Sequence, residues 1–280
     1  MARLTVEYYS PVLTCNTAAV VILPEERDYF LSGGIRRDAD GKIPVLYLLH
    51  GMGDDETVWA RYTNLEREAL SRGIAVVCPR VHSQSFYCNM PKGLHYFDFI
   101  ADDLPVLMQR LFPQLSGRRE DRYLAGVSMG GYGALKVGLS RPDTFGHLGC
   151  LSSGNFVHME QYLPPEEYAP PFLRPFYGAG RNAFGTGTAA EAAGTEHDLY
   201  TVLDRALASG KPLPDIEMIC GDRDFVTGLS DKTAEYFSAR LPAGKFEYKK
   251  FSGSHNWIYW NDWLPMLLDD MGLTSQLRLL

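Results

Sequence analysis

Apolar positions along the chain follow two patterns, short continuous runs and longer stretches with a helical repeat. Residues from Ile43 to Leu49 are apolar at nearly every position, which is typical of a strand that is buried on both faces of a parallel sheet. Apolar residues from Val58 to Ala69 recur at steps of four, three and four and predict one amphipathic helix. Strands and helices that alternate in this way indicate an α/β fold built from βαβ units.

The N-terminal part of the chain differs, because two strand patterns follow each other with no helix between them. Leu4–Tyr9 and Ala18–Leu23 are therefore expected to form an antiparallel edge of the sheet. The rest of the sheet is expected to be mostly parallel, with helices on both faces. The further strands expected are Ile74–Cys78, Arg122–Val127, His147–Leu151, Ile216–Cys220 and Phe246–Phe251. The further helices expected are Phe97–Leu111, with a kink or an upstream break at Pro105, residues 129–140, and Trp257 to Met271.

Neither pattern holds between Asn155 and Pro214. The first part of this segment is rich in proline, and Gly and Ala cluster around residues 178–194. A long irregular stretch inside a compact domain is usually functional or disordered. We interpret residues 155–214 as an inserted, cap-like segment over one edge of the sheet, within a single domain that spans residues 1–280.

Charge and cysteine usage exclude several classes of protein. The net charge is −7, from 34 acidic and 27 basic residues, and no basic block is present to neutralise phosphates, so nucleic acid is not an expected partner. Five cysteines without a C-x-x-C motif argue against a disulfide framework and a zinc knuckle. No apolar signal segment and no run of about 18 apolar residues is present in the sequence. We therefore expect a soluble, cytoplasmic protein without a membrane partner.

The motif Gly126-Val-Ser128-Met-Gly130 matches G-x-S-x-G, the nucleophile elbow of serine hydrolases. The motif requires a buried strand before the serine and a helix after it, because only glycines avoid clashes around such a tight turn. The expected strand Arg122–Val127 and the expected helix over residues 129–140 supply this context. The alternative is a glycine-rich turn in which the serine only caps a helix.

A serine nucleophile needs a base, and the base needs a carboxylate to orient it. In this fold the chain order is Ser, then Asp or Glu, then His. His255 follows the last expected strand and precedes the last helix, and is the candidate base; the alternative is a surface histidine. Asp224 and Asp222 both follow the preceding strand. We favour Asp224 as the orienting acid, with Asp222 as a cap of the turn.

The oxyanion of an acyl-transfer intermediate needs two preorganised N–H donors. The backbone N–H of Met129, directly after the serine, is one candidate. The other is expected from the loop His50–Gly53, where Met52 is preferred over Gly51. His50 precedes Ser128 in the chain, so we interpret it as a hydrogen-bonding residue that shapes this loop, and not as a catalytic base.

Each of the remaining candidates also has a structural explanation, and for a stripe of tryptophans core packing is the more common one. Residues 54–56 are three acids, but no further ligand spacing supports a metal site, and negative charge at the start of a helix explains them. Trp257, Trp260 and Trp263 either line a substrate groove or pack the last helix on the core. Trp59, Tyr87 and Trp257 are the candidates for contact with substrate.

The chain outside residues 155–214 resembles the esterase D-like family of α/β hydrolases, which includes tributyrin esterases, S-formylglutathione hydrolases and feruloyl or acetyl-xylan esterases. The matching motifs, in the family's order, are Leu49-His-Gly51 with Trp59, Ser85–Met90, Gly126–Gly133, Cys220–Phe225 and Gly253–Trp257. The resemblance implies an α/β-hydrolase fold and Ser128, Asp224 and His255 as a catalytic triad. It also implies a hydrolase that needs no cofactor and, loosely, an oligomer.

Within this family the tributyrin-esterase branch is the most similar, because the glutathione branch carries a different oxyanion loop from His50–Gly53. The sequence therefore predicts a serine carboxylesterase that hydrolyses short-chain esters through an acyl-enzyme. A carbohydrate esterase or an S-formylglutathione hydrolase is the alternative within the family. Outside hydrolysis, the alternatives are an acyltransferase or a non-catalytic binding protein on the same fold.

Overall fold

Eight strands form one sheet in the computed structural model, which describes residues 1–25 and 34–276. The strands are β1 (Ala2–Ser10), β2 (Cys15–Leu23), β3 (Val45–Leu49), β4 (Ala75–Pro79), β5 (Arg122–Val127), β6 (His147–Leu151), β7 (Asp215–Gly221) and β8 (Phe246–Phe251). Their order across the sheet is β1-β2-β4-β3-β5-β6-β7-β8. β2 runs antiparallel to both β1 and β4, and the other neighbours are parallel. The mostly parallel sheet with an antiparallel N-terminal edge is thereby confirmed.

The central strands are buried on both faces, which explains why their sequences are continuously apolar. In β3, Val45, Tyr47 and Leu49 point into one core, while Leu46 and Leu48 point into a second core on the opposite face. Alternate side chains of a strand point to opposite faces, so one short run contributes to both cores. Helices therefore have to cover each face of the sheet.

Nine α-helices are present in the described residues. They are α1 (Val58–Tyr62), α2 (Leu65–Arg72), α3 (Tyr96–Asp98), α4 (Leu104–Leu111), α5 (Met129–Ser140), α6 (Arg174–Phe184), α7 (Leu199–Ala208), α8 (Thr227–Ser238) and α9 (Trp257–Asp270). None of the described helices is long and apolar enough to cross a membrane.

The single helix expected from Val58 to Ala69 is wrong, because α1 and α2 are separate helices. Thr63 lies between them with an extended backbone, φ −131° and ψ 170°. Its hydroxyl donates to the Trp59 carbonyl at 2.6 Å and accepts from the Leu65 N–H at 3.2 Å. Local side-chain bonds of this kind offer the backbone an alternative to the helical ladder, so the helix ends although the apolar repeat continues.

The expected helix over Phe97–Leu111 does not break at Pro105. It begins with α3, continues through a π-helical turn at Phe99–Asp103, and becomes regular again in α4, where Pro105 occupies the first turn. The Leu104 N–H donates to the Phe99 carbonyl, so the backbone stays helical up to the proline. The irregularity expected upstream of Pro105 is therefore this π turn, since proline itself supplies no N–H to the helical ladder.

The segment of residues 155–214 is more ordered than its composition suggests. It contains α6, α7 and three short 3₁₀ turns at Phe156–Gln161, Glu166–Tyr168 and Ala189–Ala192. The expectation of an irregular stretch is therefore wrong for α6 and α7. α7 packs on α5 and α8 as the crossover helix between β6 and β7. The single domain with a cap-like insertion stays a prediction.

Candidate active site

Ser128 occupies a sharp turn between β5 and α5. Its backbone has φ 54° and ψ −120°, a left-handed conformation that a residue with a side chain adopts only when its surroundings impose it. A Cβ on Gly130 would lie 2.5 Å from the Leu49 carbonyl oxygen, and a Cβ on Gly126 would overlap the Gly130 backbone. The two glycines of the motif thus allow the elbow to form against β3.

His255 connects the serine to a buried carboxylate. Its Nε2 lies 3.0 Å from Ser128 Oγ, and its Nδ1 lies 2.9 and 3.0 Å from the two carboxylate oxygens of Asp224. The Asp224 side chain is fully buried and also accepts the Val226 N–H at 3.0 Å. The Phe225 ring lies 4.3 Å from the imidazole, centroid to centroid, and shields it. The three side chains that the sequence selects are therefore brought into one hydrogen-bonded line.

Asp222 has a different partner. Its Oδ1 accepts the Gly253 N–H at 3.0 Å, while about half of its side chain is exposed. The bond ties the loop after β7 to the loop that carries His255. Asp222 therefore links two loops, and the expectation that it caps its own turn is wrong.

The loop after β3 packs against the elbow. A Cβ on Gly51 would lie 3.6 Å from Ser128 Cβ, so the backbone of Gly51 and Met52 is close to the serine. The Met129 N–H is in the first turn of α5, directly after the elbow. Within residues 1–25 and 34–276, the backbone N–H groups of Met52 and Met129 have no hydrogen-bond acceptor. Both are free to donate to a substrate oxygen.

His50 is buried and shapes this loop. Its Nδ1 donates to the Gly51 carbonyl at 2.8 Å, and its Nε2 accepts the Val81 N–H at 3.3 Å. Burial lowers the pKa of His50, which keeps the ring neutral, as the hydrogen bond to Nε2 requires. Its role as a loop-shaping hydrogen-bonder is confirmed.

A cleft of about 560 Å³ opens above Ser128 and His255. Its walls combine aromatic side chains with a few polar groups, as is typical of small-molecule sites. Lining residues include Met52, Asp54, Phe172, Phe176, Arg223, Phe225, Trp257 and Trp260. Two of these, Phe172 and Phe176, come from the inserted segment and pack edge-on against Phe225, with ring centroids 6.0 and 5.7 Å from it.

Two of the three residues expected to contact substrate do not line the cleft. Trp59 is fully buried, donates from Nε1 to the Leu49 carbonyl at 3.0 Å, and supports Trp257 through an edge-on contact at 5.0 Å. Tyr87 is also fully buried; its hydroxyl donates to the His50 carbonyl at 2.9 Å, and its ring fills the space beside Gly133. The expectation that Trp59 and Tyr87 contact substrate is therefore wrong. Both side chains are buried and stabilise the backbone around the site. Trp257 lies on the cleft wall.

The sequence does not predict several of the residues that line the cleft. Negative charge at a helix start explains Asp54 in the sequence, and Phe172 and Phe176 lie in the segment of residues 155–214, which has no clear pattern. Phe225 directly follows Asp224 in a motif, and that proximity was the one available signal. No group of three or more His, Cys, Asp or Glu side chains in the described parts of the chain could hold a metal ion.

The sheet order, the elbow and the Ser–His–Asp line define an α/β hydrolase of the serine type. The family model described as "Putative esterase" matches residues 10–271, and the chain belongs to this esterase family. Over 278 residues the chain is 27% identical to "Acetyl esterase" of Caldicellulosiruptor saccharolyticus, with 98% of this chain and 100% of the relative covered.

Two solved structures from Staphylococcus aureus are similar over almost the whole chain. The fluorophosphonate-binding serine hydrolase FphF superposes with a TM-score of 0.78, and the S-formylglutathione hydrolase FrmB with 0.76. Each is 30% identical, with 96% of this chain and 98% of the other covered. The esterase D-like resemblance is confirmed, and the chain is a carboxylic ester hydrolase.

Proposed function

We propose that the protein hydrolyses short-chain carboxylic esters through an acyl-enzyme on Ser128, with His255 as general base and Asp224 as its orienting acid. The observation that carries the proposal is the continuous hydrogen-bonded line from Ser128 Oγ through the imidazole to the Asp224 carboxylate. Such a line is the arrangement that activates a serine hydroxyl.

The steps follow from this geometry. His255 Nε2 takes the proton from Ser128 Oγ as the oxygen attacks the ester carbonyl, and Asp224 stabilises the resulting imidazolium. The backbone N–H groups of Met52 and Met129 stabilise the oxyanion. His255 then delivers its proton to the leaving alcohol, and a water molecule, activated by the same imidazole, releases the acid from Ser128.

The size and lining of the cleft support small substrates. A volume of about 560 Å³ lies within the usual range for small-molecule sites. Met52, Trp257 and Trp260 offer apolar surface close to the serine, which suits a short acyl group. The 27% identical relative named as an acetyl esterase agrees with this substrate class. The thioester S-formylglutathione is a second candidate, favoured by the 30% identity to a protein named for that activity.

The test is hydrolysis of p-nitrophenyl esters of increasing acyl length, and of S-formylglutathione, by the wild-type protein and two variants. Ser128→Ala should lower kcat by about 10⁴–10⁶-fold with an unchanged melting temperature. Ser238→Ala, a serine exposed at the end of α8, is the matched control and should retain wild-type kcat. Wild-type activity in the folded Ser128→Ala variant would exclude the mechanism. Transfer of the acyl group to an added alcohol, in preference to water, would indicate an acyltransferase.

A further inference from the structure

Asp54 differs from the two acids that follow it because its carboxylate has no hydrogen-bond or ion-pair partner among the described residues. Asp55 accepts the Thr57 N–H and hydroxyl at 2.8 and 2.6 Å. Glu56 is buried and forms a two-pronged ion pair with Arg80. Across residues 1–25 and 34–276, no hydrogen bond or ion pair reaches the Asp54 side chain.

A tight turn aims this unpaired carboxylate into the cleft. Gly53, with φ +86°, provides the left-handed step of the turn, and the Asp54 N–H donates back to the Gly51 carbonyl at 3.4 Å. A Cβ on Gly51 would lie 3.5 Å from Asp54 Oδ2 and 3.6 Å from Ser128 Cβ. The carboxylate and the candidate nucleophile therefore flank the same short piece of backbone, and both line the cleft.

The carboxylate is unfavourable for the folded protein as it stands. Burial, followed by the negative charge of Asp55, raises the pKa of Asp54 to about 6, although Arg61 and His255 oppose the rise. A partly desolvated carboxylate without a hydrogen-bond donor costs free energy, which the charges of Arg61 and His255 offset only in part. Perturbed and unpaired groups in a cleft are characteristic of functional positions.

We propose that Asp54 is a specificity residue that selects substrates by the charge of their alcohol part, favouring cationic leaving groups and rejecting anionic ones. The inference rests on the proposed esterase function. His255 delivers its proton to the leaving oxygen, so the alcohol part lies on the side of the cleft next to the imidazole. The Asp54 charge acts on that imidazole, and so it acts on a charged alcohol group placed there.

The other charged side chains near the cleft should affect the charge preference less than Asp54 does. Arg223 lines the cleft, but its side chain is largely exposed, is 3.6 Å from Asp222, and donates to Ser252 Oγ at 3.2 Å. Arg61 is exposed and donates to Thr57 Oγ1 and to the Tyr62 hydroxyl, both at 3.3 Å, and Asp55 accepts from the Thr57 hydroxyl. Solvent screens exposed charges, so they act weakly at a distance.

The experiment compares three acetate esters of similar size whose charges do not change between pH 5 and 8. They are acetylcholine, the neutral 3,3-dimethylbutyl acetate and the anionic 2-acetoxyethanesulfonate. The quantity measured is the ratio of kcat/KM between esters, because effects on the catalytic step that the three esters share cancel in the ratio. Wild-type protein should prefer the cation to the anion by about tenfold or more at pH 7.5, and the preference should fall with a midpoint near pH 6 as Asp54 is protonated.

Asp54→Asn should bring this ratio close to one at all pH values while p-nitrophenyl acetate is still hydrolysed. Asp55→Asn removes the same charge one residue away and should retain the preference for the cation at pH 7.5. Its midpoint should move to lower pH, because the Asp55 charge no longer raises the pKa of Asp54. A ratio that Asp54→Asn leaves unchanged would overturn the inference. The inference would also be overturned if the wild-type protein hydrolysed all three esters without a charge preference. The esterase function would then remain intact. Failure to hydrolyse any ester would overturn both.

Discussion

Asp222 and Asp224 stand two residues apart in the same loop and have unlike partners. Asp224 is fully buried and holds Nδ1 of His255, whereas Asp222 is half exposed and holds the Gly253 N–H. The first bond fixes the tautomer in which Nε2 can accept the serine proton. The second bond only joins two loops. Asp224 therefore contributes to the chemistry of the site, and Asp222 contributes to the stability of the loops around it.

Asp224→Asn is expected to lower kcat by about 10⁴-fold, because an amide stabilises neither the required tautomer nor the imidazolium. Asp222→Asn should change kcat less than about threefold and cost less than about 1 kcal/mol of stability. Steady-state kinetics with p-nitrophenyl acetate and urea unfolding of both variants measure these effects. If Asp222→Asn is the more damaging to kcat, the assignment of the acid is wrong.

At this scale, motif spacing identifies Ser128, Asp224 and His255, because each chemical role requires a given residue type at a given place between strand and helix. The same reasoning does not find Asp54. Its function depends on the side-chain direction after a left-handed glycine and on the absence of a partner, and neither is visible in sequence. For Trp59 and Tyr87, the motifs predict that the residues lie near the site. They do not predict that the rings point into the core and away from the cleft.

At the level of the elements, the outer edge of the sheet carries a concentration of negative charge. Glu217 of β7 lies directly opposite Glu247 of β8 in the parallel register. Burial raises the pKa of Glu217 to about 8, with further contributions from Glu247 and Asp270 that Lys249 partly offsets. The folded protein therefore holds a proton here that the unfolded chain loses near its ordinary pKa of 4.5. Stability is lost as pH rises from that value through about 8.

Glu217→Gln is expected to stabilise the protein at pH 9 by about 1–2 kcal/mol, a value reduced from the full linkage energy because the group is partly exposed. Below pH 4.5 the gain should vanish. Urea unfolding at both pH values measures it, with Glu167→Gln, an exposed position in the insertion, as the charge-matched control. An equal effect of Glu217→Gln at both pH values would contradict the argument.

The elements themselves were predictable where one pattern was continuous. The strands from β3 to β7 could be located from their largely apolar runs, and helix α5 from the glycine motif before it. β8 carries Glu247, Lys249 and Lys250 between its apolar positions and could be located from its place between turns. The interruption at Thr63 could not, since it depends on two hydrogen bonds of one hydroxyl and not on hydrophobicity. α6 and α7 were missed because prolines and glycines around them obscure helices that tertiary packing stabilises.

Over the whole molecule, the inserted segment supplies part of the cleft wall. Phe172 and Phe176 extend the aromatic surface that begins with Phe225 next to His255. The size of the alcohol part that the protein accepts should therefore depend on residues that are distant in sequence from the reacting groups. This surface could not be derived from sequence, because the position of the insertion over the sheet is set by packing.

Phe172→Ala should lower kcat/KM for hexyl acetate by about three- to tenfold, since less apolar surface is buried with the longer alcohol part. The value for methyl acetate should change less than twofold. Phe172 is 62% exposed, so folding should not suffer. Tyr168→Ala, which removes another exposed aromatic ring of residues 155–214 outside the cleft lining, is the control. An equal loss for both esters would show that the ring does not select the size of the alcohol part.

The central claim, that Ser128 carries the acyl group, is tested most directly by trapping the nucleophile. The protein is treated with a fluorophosphonate, and the adduct is located by intact mass and peptide mapping. We expect one adduct per chain, located on Ser128. Labelling should be absent in Ser128→Ala, and its rate should be lower by orders of magnitude in Asp224→Asn. An adduct on another residue, or a wild-type protein that hydrolyses esters without being labelled, would contradict it.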